Sequence, residues 1–127
     1  LSLPKKSIRH YITSPLKTLR SLDTLRDALI LFNHSHIHGA PVIEDDRLLG
    51  IITMSDIAHA VENDLSLNTL VSEVMTTDVV EAPADVRLFE VIGRFKEREI
   101  GRLIVVEKGK PVGILTQSDI LRVFPSL

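Results

Sequence analysis

The residues whose types and spacing could do chemistry lie in a phrase that occurs twice. "GIITMSDI" covers residues 50–57 and "GILTQSDI" covers residues 113–120. Each phrase runs from an apolar stretch into a Thr, a Ser and an Asp, which are residue types that cap helix N-termini. The same oxygens can contact a ligand, because an ionised Asp accepts hydrogen bonds and a hydroxyl both donates and accepts them. The phrase therefore leaves two interpretations open, helix capping alone and ligand contact.

The phrase belongs to a longer internal repeat. Gly113 follows Gly50 by 63 residues, and at that offset residues 7–61 match residues 70–124 without a gap. Identical pairs lie along the match, among them Thr13/Thr76, Leu25/Leu88, Phe32/Phe95, Val42/Val105 and Glu44/Glu107. A gap-free match with a period of about 60 residues indicates a duplication and is too long for common solenoid units. The sequence predicts an N-terminal arm (1–6), a first repeat (7–63), a linker (64–69) and a second repeat (70–127).

Both copies predict the same elements. Apolar residues at i, i+3, i+4 and i+7 indicate an amphipathic helix in each copy. These residues are Leu25, Ala28, Leu29 and Phe32 in the first copy and Leu88, Val91, Ile92 and Phe95 in the second. Two strands joined by a polar turn follow, at 40–44 and 48–53 and at 103–107 and 111–116, and Gly109 is expected to take the positive φ of the second turn. A helix ends each copy, and a short extended piece precedes the first helix. Each unit is therefore β-α-β-β-α, in the α+β class.

The strands are apolar on both faces, which means that both faces need cover. A unit of about 55 residues rarely stabilises a core of its own. We therefore expect the two units to pack sheet to sheet with pseudo-twofold symmetry.

Composition excludes several classes of function. The 127 residues are 44% hydrophobic and 25% charged, as in ordinary globular proteins, and 15 basic and 17 acidic residues are mixed along the chain. A mixed charge of −2 disfavours nucleic-acid binding, which needs a clustered basic face. Without Cys the chain has no thiolate metal site, and a cytoplasmic location is favoured. No phosphate-binding loop, nucleophile elbow or acid/base pair predicts an enzyme.

The duplicated pattern, with "G-h-h-T-x-S-D-h" opening the last helix, resembles the CBS domain pair, or Bateman module, named for cystathionine β-synthase. The resemblance is strongest over residues 37–57 and 100–120. It implies a non-catalytic regulatory module that binds adenosine-containing ligands in clefts between the repeats. AMP, ADP or ATP would act as a regulatory ligand, with no obligatory cofactor. The resemblance also implies a homodimer and attachment to an enzyme, channel or transporter.

The resemblance also assigns roles to particular residues. The ribose hydroxyls would be bound by Asp56 and Asp119. Hydroxyl contacts with the ligand fall on Thr53, Ser55, Thr116 and Ser118, and we expect the two Ser side chains to cap the helices as well. The edge that contacts the base would be formed by Thr13, Leu16, Thr76 and Val79.

The two copies differ where the family has a His-Arg pair for phosphate. The first copy reads Ile37-His38-Gly39 and the second reads Ile100-Gly101-Arg102. Arg102 is expected to bind phosphate more firmly, because its guanidinium is always charged and fork-shaped, and His38 would be a pH-sensitive partner. The alternative is that both are solvated loop residues. We therefore expect two unequal clefts.

Three further interpretations stay open. "HSHIH" contains His34, His36 and His38, and at a helix end His34 and His38 would share one face and could bind a metal, although a third ligand is missing and histidines at a helix end are the simpler explanation. The chain could be a structural dimerisation module with degenerate pockets. It could also bind S-adenosylmethionine or nucleic acid.

Overall fold

The computed structural model describes residues 5–12, 15–97 and 101–123, without the side chains of residues 96 and 97. Contacts divide the chain into two compact units. The first unit is Lys17–Val79, and the second unit comprises the described residues of Leu1–Leu16 and Val80–Leu127. Each unit combines a small sheet with helices, so the predicted α+β class is confirmed.

The first unit is built on an antiparallel hairpin. Its elements are α1 (Leu25–Ser35), β1 (Gly39–Glu44), β2 (Arg47–Thr53), α2 (Met54–Glu62) and α3 (Val71–Val74). A parallel bridge from Leu19 to Val42 widens the sheet beside β1, and an antiparallel bridge from Thr76 to Ile51 widens it beside β2. The hairpin ends where α2 begins, which puts the first Thr-Ser-Asp phrase at one end of the sheet.

The second unit repeats this plan. It contains a 3₁₀ turn (Ile8–His10), β3 (Glu81–Pro83), α4 (Leu88–Glu97), β4 (Arg102–Glu107), β5 (Lys110–Thr116) and α5 (Gln117–Leu121). Strand β3 runs parallel to β4, and β4 is antiparallel to β5. The pair Ala82/Val105 corresponds to Leu19/Val42 at the repeat offset. The predicted hairpin strands are thus confirmed within one residue at each end.

The two hairpin turns use residues with positive φ. Asp45 and Asp46 have φ values of 50° and 63°, and Lys108 and Gly109 have values of 52° and 77°. Positive φ at both central residues matches the right-handed twist of a two-residue hairpin, and Gly and Asp tolerate it best. The turn and the role of Gly109 were predicted correctly.

Each unit has its own hydrophobic core, to which the amphipathic helices contribute their apolar stripes. Leu25, Ala28 and Phe32 are buried in the first core, and Leu88, Val91 and Phe95 in the second. Among the described helices, none has both the length and the apolar character needed to cross a bilayer.

The cores also show which unit each short helical segment joins. Val71, from the second sequence repeat, is fully buried in the first core. Ile8, the equivalent residue of the first repeat, is fully buried in the second core. The predicted boundaries 1–6, 7–63, 64–69 and 70–127 describe the sequence repeat and stay a prediction, whereas the compact units divide the chain differently.

Candidate functional site

The first Thr-Ser-Asp phrase forms a capping box at the start of α2. The Asp56 amide donates to Thr53 Oγ1 at 3.2 Å, and the Thr53 amide donates to Asp56 Oδ2 at 2.8 Å. The Thr53 hydroxyl also donates to Asp56 Oδ2, at 3.0 Å. This reciprocal pairing satisfies two backbone donors that a helix start otherwise leaves unpaired. The expectation that Ser55 caps the helix was wrong, since Thr53 is the N-cap and Ser55 is exposed.

The two oxygens of Asp56 have different partners. Oδ2 accepts hydrogen bonds from the amide and the hydroxyl of Thr53, whereas Oδ1 faces the Thr76 hydroxyl at 3.4 Å. A separation of 3.4 Å lies beyond the usual range for a hydroxyl hydrogen bond. A carboxylate oxygen can accept two hydrogen bonds, so Oδ1 keeps capacity for a ligand hydroxyl. Capping and ligand contact are therefore compatible at Asp56.

Two other predicted residues of the first unit, Thr76 and His38, lie near this end of the sheet. Thr76 exchanges backbone hydrogen bonds with Ile51 at 2.8 and 2.9 Å, and this pairing holds its hydroxyl near Asp56. His38 is exposed just before β1, and its carbonyl accepts a hydrogen bond from the Met54 amide at 2.9 Å. Val79 is half-buried at the end of the unit. The first unit thus brings Thr53, Asp56 and Thr76 into contact and places the His38 backbone at the start of α2.

The second phrase forms the same capping box with one added partner. The Thr116 amide donates to Asp119 Oδ2 at 2.8 Å, and the Asp119 amide donates to Thr116 Oγ1 at 3.1 Å. Asp119 Oδ1 accepts a hydrogen bond from Arg122 Nη2 and forms an ion pair with it. The Asp119 side chain is 8% exposed, and that of Arg122 is 72% exposed. Both oxygens of this carboxylate therefore have strong donors.

The remaining predicted residues of the second unit divide into three groups. Arg102 opens β4 directly opposite Thr116 in the strand register, so it stands at the same end of the sheet as the capping box. Ser118 is exposed and does not cap α5, because Thr116 is the N-cap. Leu16 is half-buried in this unit, and Thr13 lies outside the described residues.

Sequence reasoning missed Arg122 as a partner of the phrase. Asp119 and Arg122 are spaced i, i+3 on one helix, a spacing at which opposite charges meet. That signal was present in the sequence. Sequence reasoning also chose the wrong cap, because Ser and Thr are both good N-caps and the pattern alone does not decide between them.

The histidines of "HSHIH" do not share a helix face. Helix α1 ends at Ser35, and His36 adopts a left-handed conformation with φ of 53° that ends the helix. His38 lies beyond this turn, so the predicted pairing of His34 with His38 on one face was wrong. Within the part of the chain that the structure describes, no cluster of three or more His, Asp or Glu could hold a metal ion.

One other cluster of charges lies in the first unit. Arg20 Nη2 donates to Glu44 Oε2 at 2.9 Å, and the amide and hydroxyl of Ser21 each donate to Glu44 Oε1 at 3.0 Å. The Arg20 guanidinium and the Ser21 donors lower the pKa of the Glu44 carboxyl to about 2. These residues line an open cavity of about 440 Å³ together with Leu22 and Asp23. The cluster contains none of the predicted site residues and holds the end of β1 to the segment before α1.

Comparisons with known proteins bear on this arrangement. The uncharacterized protein MJ1232 of Methanocaldococcus jannaschii is 32% identical over 123 residues, which cover 96% of this chain and 40% of that protein. The inosine-5'-monophosphate dehydrogenase of Thermoplasma acidophilum is 32% identical over 109 residues, 85% of this chain and 20% of that protein. The chain therefore spans less than half the length of either relative.

A solved structure matches the whole fold. The CBS domain pair of protein MJ0100, in complex with 5'-methylthioadenosine and S-adenosyl-L-methionine, is similar with a TM-score of 0.87 and 27% identity. The match covers 96% of this chain and 98% of that one. The family model of the CBS domain matches residues 8–63 and again residues 71–126. Two repeats with a capping box at each Thr-Ser-Asp phrase, and two matches that cover most of the sequence, show that the chain belongs to the CBS domain family.

Proposed function

We propose that this chain is a regulatory module that binds adenosine-containing ligands at its Thr-Ser-Asp phrases, with AMP, ADP or ATP as the leading candidates. The observation that carries the proposal is the divided role of Asp56. Its Oδ2 accepts the backbone N–H that caps α2. Its Oδ1, which lies 3.4 Å from the Thr76 hydroxyl, can still accept a hydrogen bond from a ligand. The vicinal hydroxyls of a ribose are donors suited to that oxygen, and a hydrogen bond to a charged group contributes about 1.5–3 kcal/mol.

The MJ0100 domain pair supports the choice of an adenosine group. Its two ligands, 5'-methylthioadenosine and S-adenosyl-L-methionine, share with AMP and ATP a ribose that carries adenine. Neither ligand carries a phosphate, so S-adenosylmethionine is the second candidate for this chain. The proposal therefore depends first on recognition of the ribose and the adenine base, and only secondarily on recognition of a phosphate.

Phosphate recognition is proposed for Arg102, with His38 as a pH-sensitive partner in the other repeat. Arg102 opens β4 opposite Thr116, which puts its backbone beside the second capping box. His38 stands before β1, and its carbonyl accepts from the first amide of α2. A permanently charged guanidinium suits a phosphate better than an imidazole near neutral pH. Arg102→Gln should therefore weaken AMP binding more than adenosine binding.

We further propose that the chain itself catalyses no reaction and controls a partner enzyme, channel or transporter in the cytoplasm. A regulatory ligand binds one conformation of a protein more tightly than another. The shift in the equilibrium between the two conformations cannot exceed this difference in binding free energy.

The test is calorimetric titration of the protein with AMP, ATP, NAD and S-adenosylmethionine in parallel. We expect at least one of these compounds to bind, and Asp56→Ala or Asp119→Ala to weaken binding at the site it alters by about tenfold or more, because a charge-assisted hydrogen bond is lost. The double variant should release no heat of binding.

A matched control is available in α1. Thr24 and Asp27 form the same capping box as Thr53 and Asp56, with backbone-to-side-chain distances of 2.9 and 3.2 Å, but they lie outside the repeated phrase. Asp27→Ala should cost about 1 kcal/mol of stability by loss of the cap and leave ligand affinity unchanged. Absence of binding by every adenosine compound at millimolar concentration would overturn the proposal.

The competing function is a structural dimerisation module with degenerate pockets. It is favoured by exposed apolar side chains on and after α2, where Met54, Val61 and Leu65 are 39%, 50% and 44% exposed. That alternative predicts an intact dimer that binds no adenosine compound.

Nucleic-acid binding is disfavoured by the mixed charge, and a salt-sensitive gel shift would reveal it.

A further inference from the structure

The two Asp side chains that are equivalent in the repeat differ in what faces their outer oxygen. In the first unit, Asp56 Oδ1 faces a neutral hydroxyl, that of Thr76, at 3.4 Å. In the second unit, Asp119 Oδ1 is paired with the guanidinium of Arg122. Each inner oxygen accepts a backbone N–H at 2.8 Å. The charged partner is found only at the outer oxygen of Asp119, and the outer oxygen is the one that the proposed function assigns to a ligand hydroxyl.

One sequence difference between the repeats accompanies this, at the position three residues after each Asp. Arg122 occupies it in the second repeat, and His59 occupies it in the first. The His59 side chain lies beside that of Asn63, whose Nδ2 donates to the His59 carbonyl at 2.7 Å and stands 3.4 Å from the ring nitrogen Nε2. A long guanidinium at i+3 reaches back to the carboxylate, whereas the shorter imidazole lies toward the next turn of the helix.

We infer that Arg122 is a specificity-determining residue that weakens ligand binding at the second Thr-Ser-Asp phrase and makes the site at the first phrase the tighter one. This inference rests on the proposed function. The Arg122 guanidinium occupies one acceptor direction of Asp119 Oδ1 and offsets its negative charge, so a ligand hydroxyl gains less there than at Asp56 Oδ1, whose neighbour is a neutral hydroxyl. The guanidinium is mostly exposed and can swing into water, so the second site fills at higher ligand concentration.

The size of the effect follows from the exposure of the pair. Ion pairs with a solvent-exposed partner are weak, and the loss of this one should change ligand affinity by about two- to fivefold. Arg102 stands in the same unit and could offset the effect for phosphate-bearing ligands, because it would attract the phosphate. Adenosine, which has no phosphate, is therefore the cleaner probe of Arg122.

The experiment isolates the second site with Asp56→Ala, or with Asp56→Asn if the Ala variant does not fold. Arg122→Gln is then added, and the dissociation constants of adenosine and AMP are measured by calorimetry. We expect adenosine to bind about two- to fivefold more tightly after Arg122→Gln. Arg87→Gln is the matched control, because Arg87 is exposed in the same unit and its substitution removes the same charge without touching Asp119.

The reciprocal variant transfers the contact to the first repeat. In an Asp119→Ala background, His59→Arg places a guanidinium three residues after Asp56, and adenosine should then bind about two- to fivefold more weakly. Opposite changes from the two variants would support the inference, because a general loss of stability would weaken binding in both.

Two results would overturn the inference. An unchanged dissociation constant after Arg122→Gln would show that the ion pair does not compete with the ligand. Weaker binding of adenosine or AMP after Arg122→Gln would show that Arg122 contacts the ligand directly. If no variant and no wild-type protein binds any adenosine compound, the proposed function itself fails, and the inference fails with it.

Discussion

At the scale of single residues, the glycine of each repeated phrase has a packing role that its position before the Thr does not reveal. A Cβ on Gly50 would lie 2.7 Å from the Thr76 carbonyl oxygen and 2.8 Å from Met75 Sδ. A Cβ on Gly113 would lie 3.0 Å from Ile12 Cβ and closer still to its Cδ1. Ile12 and Met75 are equivalent in the repeat. Each glycine therefore leaves space for the segment that occupies the equivalent position in its own unit.

Gly50→Ala should therefore destabilise the protein by about 1–3 kcal/mol through overpacking. Gly93 in α4 is the control, because nothing lies within 4 Å of the place that a Cβ on this residue would occupy. Ala also favours a helix over Gly, so Gly93→Ala should stabilise the protein by about 0.5–1 kcal/mol. Chemical denaturation of both variants measures these changes. Equal effects from the two substitutions would contradict the packing role of Gly50.

Glu44 gives a second prediction at this scale. Its pKa is lowered to about 2, first by the hydrogen bond from Arg20 and then by the Ser21 donors. A carboxyl with a lowered pKa stabilises the folded state above its ordinary pKa, and this contribution is lost as the pH falls toward the folded value. The Arg20–Glu44 pair should therefore stabilise the protein at pH 7 and lose its contribution between about pH 5 and pH 2.

The measurement is a double-mutant cycle of Arg20→Gln and Glu44→Gln by denaturation at pH 7, 5 and 3. We expect a favourable coupling free energy that is nearly the same at pH 7 and pH 5 and clearly smaller at pH 3. A coupling that stays constant over this range would contradict the role of the charged carboxylate.

At the scale of elements, the short helical segments complete the cores. Ile8, in the 3₁₀ turn, is fully buried in the second core, and its amide donates to the Val86 carbonyl at 2.8 Å. Val71, in α3, is fully buried in the first core, and its amide donates to the Asp23 carbonyl at 2.8 Å. Ile8 is distant in sequence from the second core, and Val71 bonds back to Asp23 at the other end of the first unit, so both contributions are tertiary and do not come from local helix propensity.

Ile8→Ala should therefore cost about 2–5 kcal/mol, although the residue lies near the start of the sequence. Leu22→Ala is the control, because Leu22 is 76% exposed and its truncation should stay within about 0.5 kcal/mol. Thermal or chemical unfolding provides the measurement. A neutral Ile8→Ala would mean that the N-terminal segment does not contribute to the second core in solution.

At the scale of the whole molecule, the exposed apolar side chains on and after α2 favour self-association. Met54 and Val61 are two turns apart on one helix face, and Leu65 follows the helix end. Neighbouring exposed apolar residues of this kind often mark an interface. The homodimer expected from the sequence resemblance stays a prediction, and this face is the surface on which we test it.

Val61→Glu should convert a dimer into monomers, because it would place a charge inside an apolar interface. Sedimentation velocity of the wild type and the variant measures the change. Leu22→Glu, which places the same charge at another exposed apolar position, should leave the oligomeric state unchanged. A wild type that sediments as a monomer at high concentration would contradict the prediction.

Much of the fold followed from periodicity and from the repeat. The helical stripes, the paired strands and the turn at Gly109 are local patterns, and the second copy supported each assignment made in the first. The cap was assigned to Ser55 and Ser118 instead of Thr53 and Thr116, because two residues of similar capping preference stand two positions apart. Boundaries of this kind depend on backbone geometry that a residue pattern does not specify.

By itself, the sequence determined that this protein is a duplicated α+β chain with a Thr-Ser-Asp phrase at the start of the last helix of each copy. Only the tertiary structure decided which core each short helical segment joins, because the equivalent segments of the two repeats have similar apolar patterns and a pattern does not specify which core a segment packs against. It also decided that the Thr76 hydroxyl faces Asp56. Thr76 lies 20 residues after Asp56, so this contact depends on which segment the fold brings alongside, whereas the Asp119–Arg122 pair is local to one helix and its spacing was already visible in the sequence.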